Sequence, residues 1–520
     1  MAWFDEAVFY HIYPLGLTGA PEKNDYCLGE HRLQKVFPWI NHIASLGCNA
    51  LYIGPLFESV GHGYETTDYR KLDSRLGTNQ NLKDFVAACH SKGIRVVLDG
   101  VFNHTGRDFF AFRDLQENRE NSPYRDWYCN VNFGGDTEYH DGFSYENWGG
   151  YNLLVKLNQR NPAVREYLCD TVRFWVSEFQ IDGIRLDAAD VLDFGFMQEL
   201  RRVADSVKPD FWLMGEVIHG DYGRWLTDGM LHSVTNYRLH KALYSGHNDH
   251  NYFEIAHTVR ETNCKWKLYN FVDNHDVARI VSKLHQPEEF LPVHVLLYTL
   301  PGIPSIYYGS EFGISGKKER FSDASLRPEL NLEDFAGNGS AKLIAALGKL
   351  RRTVPALSYG DYEQKLLTNE CYAFTRSLAG QSVLVTVNNA GKNGVFHISA
   401  LPDGEYTGWL TGQHQMVQGG SLSLTVPPFG GEIWIPEGMS TEFPDPVQLA
   451  PVKQELSQGQ PVKLSPQEVR KPYEEMTVEE LQQAILAQMA KNGPITDRMY
   501  RDVAENIYRD SLLNWVRSFR

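Results

Sequence analysis

The chain lacks the long hydrophobic runs and paired cysteines that mark membrane-spanning or disulfide-rich proteins. Its longest apolar runs, such as Val295 to Leu300, are far shorter than the roughly 20 residues of a spanning helix. Its seven cysteines are an odd number without a Cys-X-X-Cys pair, which predicts reduced thiols. The N-terminal sequence places Asp5 and Glu6 where a secretion signal would be basic, so we expect a soluble cytoplasmic protein.

Basic residues are also in deficit. The chain has 50 Lys and Arg against 65 Asp and Glu, a formal net charge of -15. Nucleic acids and anionic membranes attract clustered positive charge, so we expect neither as a partner. With 520 residues, 42% of them hydrophobic, the chain can build two to four structural units.

Short apolar runs alternate with segments of helical period over the first 350 residues. Asn79 to Lys92, for example, spaces Leu82, Phe85, Val86 and Cys89 along one helix face. The alternation predicts an α/β fold: a (β/α)8 TIM barrel formed by residues 1–104 and 159–352. The eight predicted strands are Val8 to Tyr13, Ala50 to Ile53, Ile94 to Leu98, Gly183 to Leu186, Trp212 to Met214, Ser233 to Asn236, Tyr269 to Val272 and Ser305 to Tyr308.

Four further regions complete the predicted organisation. Residues 105–158, after the third strand, are rich in aromatics and predict an inserted subdomain, whose rings form its core or stack on sugar faces. Short β-like runs in 353–436 predict a C-terminal antiparallel β-sandwich. Residues 437–472 are rich in Pro, Gln and Ser and predict a linker. Residues 473–520 predict a helical extension that docks on the enzyme body or joins subunits into a homo-oligomer.

Four acids lie where predicted strands leave the core, namely Asp99, Asp187, Glu216 and Asp276. Parallel barrels place catalytic groups at this end of their strands. Retaining glycoside hydrolysis needs two carboxyl groups about 5 Å apart, and Asp187 and Glu216 end consecutive strands. Arg185, two residues before Asp187 and therefore on the same strand face, can pair with the nucleophile. Crowding by neighbouring carboxylates would keep Glu216 protonated.

The four acids and the residues that flank them resemble the conserved regions of the α-amylase family, glycoside hydrolase family 13. The resemblance covers roughly residues 5 to 436. The resemblance implies retaining cleavage of α-1,4 bonds in an oligosaccharide such as a maltodextrin or starch fragment. The matching motifs are DGVFNH (Asp99 to His104), GIRLDAAD (Gly183 to Asp190), GEVIH (Gly215 to His219), FVDNHD (Phe271 to Asp276), HGYETTDY (His62 to Tyr69), RLGT (Arg75 to Thr78), KLN (Lys156 to Asn158) and GIPSIYYGSEFG (Gly302 to Gly313).

The resemblance assigns roles to the matching residues. It implies that Asp187 is the nucleophile, Glu216 the general acid/base and Asp276 the transition-state stabiliser. The residues expected to bind the sugar are Tyr64, His104, Arg185, His219 and His275. Asp99 and Asn103 are expected to support the site. No cofactor is required, although Asn103 matches a calcium ligand of many α-amylases.

Within the family, the segments around Lys156 to Asn158 and Trp225 to Tyr237 resemble the cyclomaltodextrinase and neopullulanase branch most. The chain departs from that branch in beginning directly with the barrel and in carrying Ile218 where a Trp is typical. Secreted α-amylases often have Lys-His at Asp190-Val191. Transfer to a sugar acceptor would follow if water were excluded, so a glucanotransferase or a trehalose-synthase-like isomerase is an alternative. A catalytically silent sugar-binding scaffold is another, which retention of the acids and Arg185 argues against.

Overall fold

The computed structural model describes residues 2–319, 322–439, 443–444, 481–482 and 484–486. The chain divides into two compact units. The first comprises Met1–Lys318 and Asp323–Gln454, and the second comprises Glu319–Ser322 and Glu455–Arg520. The barrel and the β-sandwich both belong to the first unit.

The predicted TIM barrel is confirmed. In chain order its strands are Phe9–Ile12, Ala50–Ile53, Arg95–Gly100, Gly183–Leu186, Trp212–Gly215, Ser233–Val234, Tyr269–Phe271 and Ile303–Tyr307. They pair in parallel in the spatial order 6-5-4-3-2-1-8-7. A parallel bridge between Thr235 and Tyr269 joins the sixth strand to the seventh, and the Asn236 N–H donates to the Tyr269 carbonyl at 2.9 Å. The sheet therefore closes on itself.

The barrel interior changes character along its length. Its lower part is an apolar core in which Phe9 stacks on Trp212 at a ring separation of 4.9 Å and packs with Val97 and Met214. Two residues beyond Val97 on the third strand lies Asp99, which is the direct register partner of Arg185 on the fourth strand. Side chains two residues apart on a strand share a face, so this polar layer lies directly above the apolar one.

Helices follow most barrel strands. Pro162–Phe179 shows why they begin and end where they do: Asn161 caps it by accepting from the Ala163 N–H at 2.9 Å, and Gln180 ends it in the left-handed conformation. Its buried face includes Val164 and Trp175. In the described ranges, the α-helices longer than four residues are Phe37–Ser45, Asn79–Ser91, Phe110–Asn118, Pro162–Phe179, Phe194–Val207, Tyr237–Asn248, Tyr252–Glu261, Phe290–Thr299 and Gly339–Thr353. The shorter α-helices are Pro14–Leu17, Ile280–Lys283 and Ala356–Tyr359.

The segment after the third barrel strand has structure of its own. A three-stranded antiparallel sheet combines His104–Thr105, Tyr151–Lys156 and Asn147–Trp148 in that spatial order. One group of its aromatic rings is buried together and another is exposed, and stacking of these rings on sugar faces stays a prediction. The buried group is Phe112, Tyr128, Phe143 and Tyr145. The exposed group is Tyr139, Trp148 and Tyr151. A further strand pair, Phe57–Ser59 with Thr66–Leu72, follows the second barrel strand.

The predicted C-terminal β-sandwich is confirmed. Its strands are Asp361–Leu367, Cys371–Leu378, Gln381–Asn388, Gly394–Ile398, Gly404–Gly408, His414–Val417, Leu422–Val426 and Gly431–Pro436. Gly394–Ile398 and Leu422–Val426 form a two-stranded sheet, and the other six form the second sheet. Phe396, Tyr406 and Trp434 lie in the apolar core of the sandwich.

Most of the predicted linker and helical extension lies outside the described residues. Within the predicted helical extension, the described residues 481–482 and 484–486 are helical. Across the described ranges, no helix is long and apolar enough to cross a membrane.

Asp182, just before the fourth barrel strand, fastens the lower end of the barrel. Its carboxylate contacts His90 at 2.7 Å, Arg95 at 3.0 Å and Lys208 at 2.8 Å, and accepts from the Val96 N–H at 2.9 Å. Burial disfavours its charge, but these partners lower the pKa of Asp182 to about 2. Ionised Asp182 therefore stabilises the fold.

We expect Asp182→Asn to lower the free energy of unfolding by roughly 2 kcal/mol at pH 7, because the folded pKa lies below the unfolded value near 4. This stabilisation is complete above about pH 4 and is lost as pH falls through 2. Thermal unfolding of both proteins at several pH values measures it. Asp205→Asn, in an exposed pair with Arg201, should change little. An equal loss in both variants would contradict the assignment.

Candidate active site

Backbone hydrogen bonds bring the catalytic candidates together at the carboxyl ends of neighbouring strands. The Asp187 N–H donates to the Gly100 carbonyl at 3.1 Å, which extends the ladder between the third and fourth strands. The Glu216 N–H likewise donates to the Leu186 carbonyl at 2.9 Å, between the fourth and fifth. Both carboxylates are thereby placed where the buried strands end.

Arg185 connects three carboxylates with one guanidinium. Its Nη1 contacts Asp99 at 2.8 Å and Asp187 at 2.9 Å, while its Nη2 contacts Glu216 at 2.8 Å. The sequence predicted a partnership with the nucleophile alone, whereas the structure shares Arg185 between both catalytic candidates. The group is buried, so solvent screens these contacts little.

Asp99 holds the arginine from below. Besides Arg185, its carboxylate accepts hydrogen bonds from the Tyr52 hydroxyl at 2.8 Å and the Tyr64 hydroxyl at 3.1 Å. Each oxygen is therefore used by the protein itself. The supporting role of Asp99 stays a prediction.

Glu216 has two further hydrogen-bond partners besides Arg185. Its Oε2 accepts from the Ala188 N–H at 3.1 Å, and its Oε1 accepts from the Tyr237 hydroxyl at 3.3 Å. Ala188 has a φ of 46°, the left-handed region that non-glycine residues rarely adopt. The turn after Asp187 thus aims a backbone N–H at the neighbouring carboxylate.

Asp187 and Asp276 have opposite electrostatic environments. Burial raises the pKa of Asp187 well above its usual range, with Arg185 opposing and Glu216 adding to the rise. At Asp276 burial acts in the same sense, but the charges of His275 and Arg327 prevail and hold its pKa well below the usual range. Asp276 therefore stays ionised, whereas burial and the nearby Glu216 disfavour the charged form of Asp187.

His275 and Tyr64 form the wall beside Asp276. The Nε2 of His275 lies 3.0 Å from Asp276 Oδ2 and 2.5 Å from the Tyr64 hydroxyl. The two rings stack with centroids 5.6 Å apart. The Tyr64 ring, expected to stack beneath a sugar, here also positions His275.

His104 and Asn103 lie at the start of the inserted segment. The His104 Nε2 is 3.1 Å from the Tyr64 carbonyl, and its Nδ1 is 3.2 Å from the Asn103 amide. Burial lowers the pKa of His104 to about 3, so this ring is neutral near pH 7. The Asn103 carbonyl accepts from the Leu157 N–H at 3.0 Å, tying the segment to its far end.

The expected calcium ion has no carboxylate cluster to support it in the described ranges, where no three His, Cys, Asp or Glu side chains converge in a metal-binding group. The Asn103 side chain faces the His104 ring. Calcium beside Asn103 stays a prediction from the resemblance.

His219 stands apart from the other sequence-predicted site residues. It is exposed, three positions beyond Glu216, and its charge acts on Asp190. The neighbouring Ile218 is exposed as well. Their role in binding sugar stays a prediction.

Sequence reasoning missed the roles of three residues at the site, Tyr52, Tyr237 and Arg327. Arg327 lies beyond the last barrel strand, donates to Asp276 Oδ1 at 3.0 Å and to the His275 carbonyl at 3.1 Å, and packs over the Tyr13 ring. No local pattern marks Arg327. Tyr237 could have been found, because it follows the sixth predicted strand as the acids follow theirs.

Three comparisons with known proteins, by family, by sequence and by structure, agree with one another. The family described as alpha amylase, catalytic domain, matches residues 31–340. A cyclomaltodextrinase from a Bacillus species is 34% identical, covering 75% of this chain and 73% of its own. Neopullulanase 2 from Thermoactinomyces vulgaris is 31% identical, covering 83% and 78%. The solved Nostoc punctiforme debranching enzyme has a TM-score of 0.73 at 29% identity, covering 83% and 98%.

We expect Arg327→Gln to raise the pKa of Asp276, because it removes a positive charge 3.0 Å from the carboxylate. Activity that requires ionised Asp276 would then be lost at a higher pH on the acid side. The profile of kcat/KM against pH reports this shift in the free enzyme. Arg113→Gln, in an exposed pair with Asp108, is the matched control. Identical acid limbs in wild type and Arg327→Gln would contradict the prediction.

Proposed function

Because this chain belongs to the α-amylase family of glycoside hydrolases, we propose that it hydrolyses α-1,4-glucosidic bonds of maltodextrins and starch fragments, including cyclodextrins, with retention of configuration. The observation that carries this proposal is the shared contact of Arg185 with Asp187 and Glu216. One guanidinium brings two carboxylates from adjacent strands close together, as a retaining mechanism requires.

In the first step Glu216 protonates the glycosidic oxygen while Asp187 attacks the anomeric carbon. The leaving sugar departs with the proton, and a covalent glycosyl ester forms on Asp187. Ionised Asp276 stabilises the positive charge that develops on the sugar ring.

In the second step Glu216 takes a proton from water, and the resulting hydroxide displaces Asp187 from the anomeric carbon. Two inversions give net retention. His275 would donate a hydrogen bond to a sugar hydroxyl, whereas His104, whose single N–H as a neutral ring faces the Tyr64 carbonyl, would line the sugar site. The names of the similar cyclomaltodextrinase and neopullulanase support α-glucans as the substrate class.

We expect Asp187→Asn and Glu216→Gln each to lower kcat on maltoheptaose by about 10⁴-fold while the protein stays folded, since each removes a group that the chemistry uses. Initial rates with circular dichroism measure both effects. Asp170→Asn, on the exposed face of Pro162–Phe179, is the control. Near-normal rates in either active-site variant would refute the role assignment.

Product analysis tests the substrate and the stereochemistry. Incubation with maltoheptaose, β-cyclodextrin, pullulan and starch, followed by chromatography and by NMR of the fresh anomers, should show α-configured maltooligosaccharides. Ring opening of β-cyclodextrin should also occur. An initial product of β configuration would overturn the mechanism. Products longer than the substrate, or trehalose, in place of hydrolysis would identify a transferase or an isomerase instead.

A further inference from the structure

A cavity of about 610 Å³ lies between the barrel and the β-sandwich, at the opposite end of the barrel from the candidate active site. Lys267 and Gly302 line it from the barrel, and they precede the seventh and eighth barrel strands. Residues 358–362 and Arg376 line it from the side of the sandwich. The catalytic candidates lie at the carboxyl ends of the strands, so this cavity is separate from them.

Two arginines are buried where the barrel meets the sandwich, Arg351 with 3% and Arg376 with 2% of its surface exposed. Arg351 donates to the Tyr298 carbonyl at 3.1 Å. Arg376 donates to the Thr299 carbonyl at 2.8 Å and, through two nitrogens, to the Gly360 carbonyl, which uses three of its five N–H groups. Within the described ranges, neither arginine has a carboxylate at ion-pair distance. Buried charges ordinarily have such a partner.

The end of a helix compensates only part of this positive charge. The helix Phe290–Thr299 ends at the carbonyls that the two arginines contact. A helix C-terminus carries roughly half a negative charge, against two positive charges on the guanidiniums. Burial and the charge of Arg376 lower the pKa of Arg351, so the two cations repel each other. Asp361 attracts Arg376, but from beyond ion-pair distance, and positive charge remains in excess beside the cavity.

Further donors line the cavity around Arg376. Ser358 is 7% exposed, and its hydroxyl has no hydrogen-bond partner in the described part of the chain. Buried hydroxyls are ordinarily hydrogen-bonded. Lys265 and Lys267 also line the cavity, and each ammonium contacts one carboxylate, at 3.0 Å and 2.7 Å. Since an ammonium has three N–H donors, both can serve a second acceptor.

We infer that this cavity binds a phosphate group, carried by inorganic phosphate or by a small phosphate monoester. Arg376 and Ser358 would donate to the phosphate oxygens, and Lys265 and Lys267 would add positive charge. A guanidinium matches the geometry of phosphate, and a doubly charged anion would balance the two buried arginines. Because the lining comes from both the barrel and the sandwich, the ligand would stabilise their packing. This inference goes beyond the proposed function, since it uses none of the catalytic candidates.

Calorimetric titration of the full chain tests the site, with inorganic phosphate and glycerol 3-phosphate as probes at constant ionic strength. We expect saturable binding, and the probe that binds more tightly identifies the form in which phosphate is held. Arg376→Gln should weaken the Kd by about tenfold or more, because it removes a charged donor. Ser358→Ala should weaken it by about fivefold through the loss of one hydrogen bond.

The matched control is Ser91→Ala, whose hydroxyl bonds only to the Ala88 carbonyl at an exposed position. It should leave the Kd unchanged. The inference falls if neither probe binds the wild-type chain, or if Ser358→Ala binds both as tightly as the wild type. The Ser358 hydroxyl has no partner to lose within the described ranges, so this variant decides the matter even where Arg376→Gln unfolds. Turnover of maltoheptaose, which tests the proposed function, is independent of both results.

Discussion

The ion pairs of Arg185 are the constraint on which the site depends. One guanidinium contacts three buried carboxylates, and its position follows from strand register, since Asp99 and Arg185 are partners on adjacent strands. Tyr52 and Tyr64 fix Asp99 from the other side. Such a buried cluster is costly to assemble unless every charge has partners, and the closed barrel supplies them.

The same cluster gives neighbouring carboxylates different environments. Burial and the nearby charges of Glu216 and Asp99 raise the pKa of Asp187 despite its contact with Arg185. Asp276 differs, because His275 and Arg327 contact it and hold its pKa well below the usual range. The roles of acid, nucleophile and stabiliser proposed for these residues would then depend on which strand end each occupies and on the cations in contact with it.

The barrel was predictable because its strands are fully buried and read as apolar runs ending in acids. The β-sandwich was predicted from short β-like runs, but the two outer strands of its six-stranded sheet, Asp361–Leu367 and His414–Val417, were not among them. Edge strands tend to be polar or short, so their sequences resemble loops. Arg327 escaped for a different reason: it reaches Asp276 from a loop 51 positions further along the chain, a contact that only the folded structure creates. The sharing of Arg185 with Glu216 depends likewise on side-chain geometry.

The charge balance of this site acts as a filter on ligands. In the described part of the chain, the guanidiniums of Arg185 and Arg327 contact the four carboxylates of Asp99, Asp187, Glu216 and Asp276. A sugar phosphate would bring a further negative charge beside these carboxylates, at an electrostatic cost. A ligand with a protonated ring nitrogen would instead place a positive charge beside them. The charges of the site therefore disfavour anionic ligands whatever their shape.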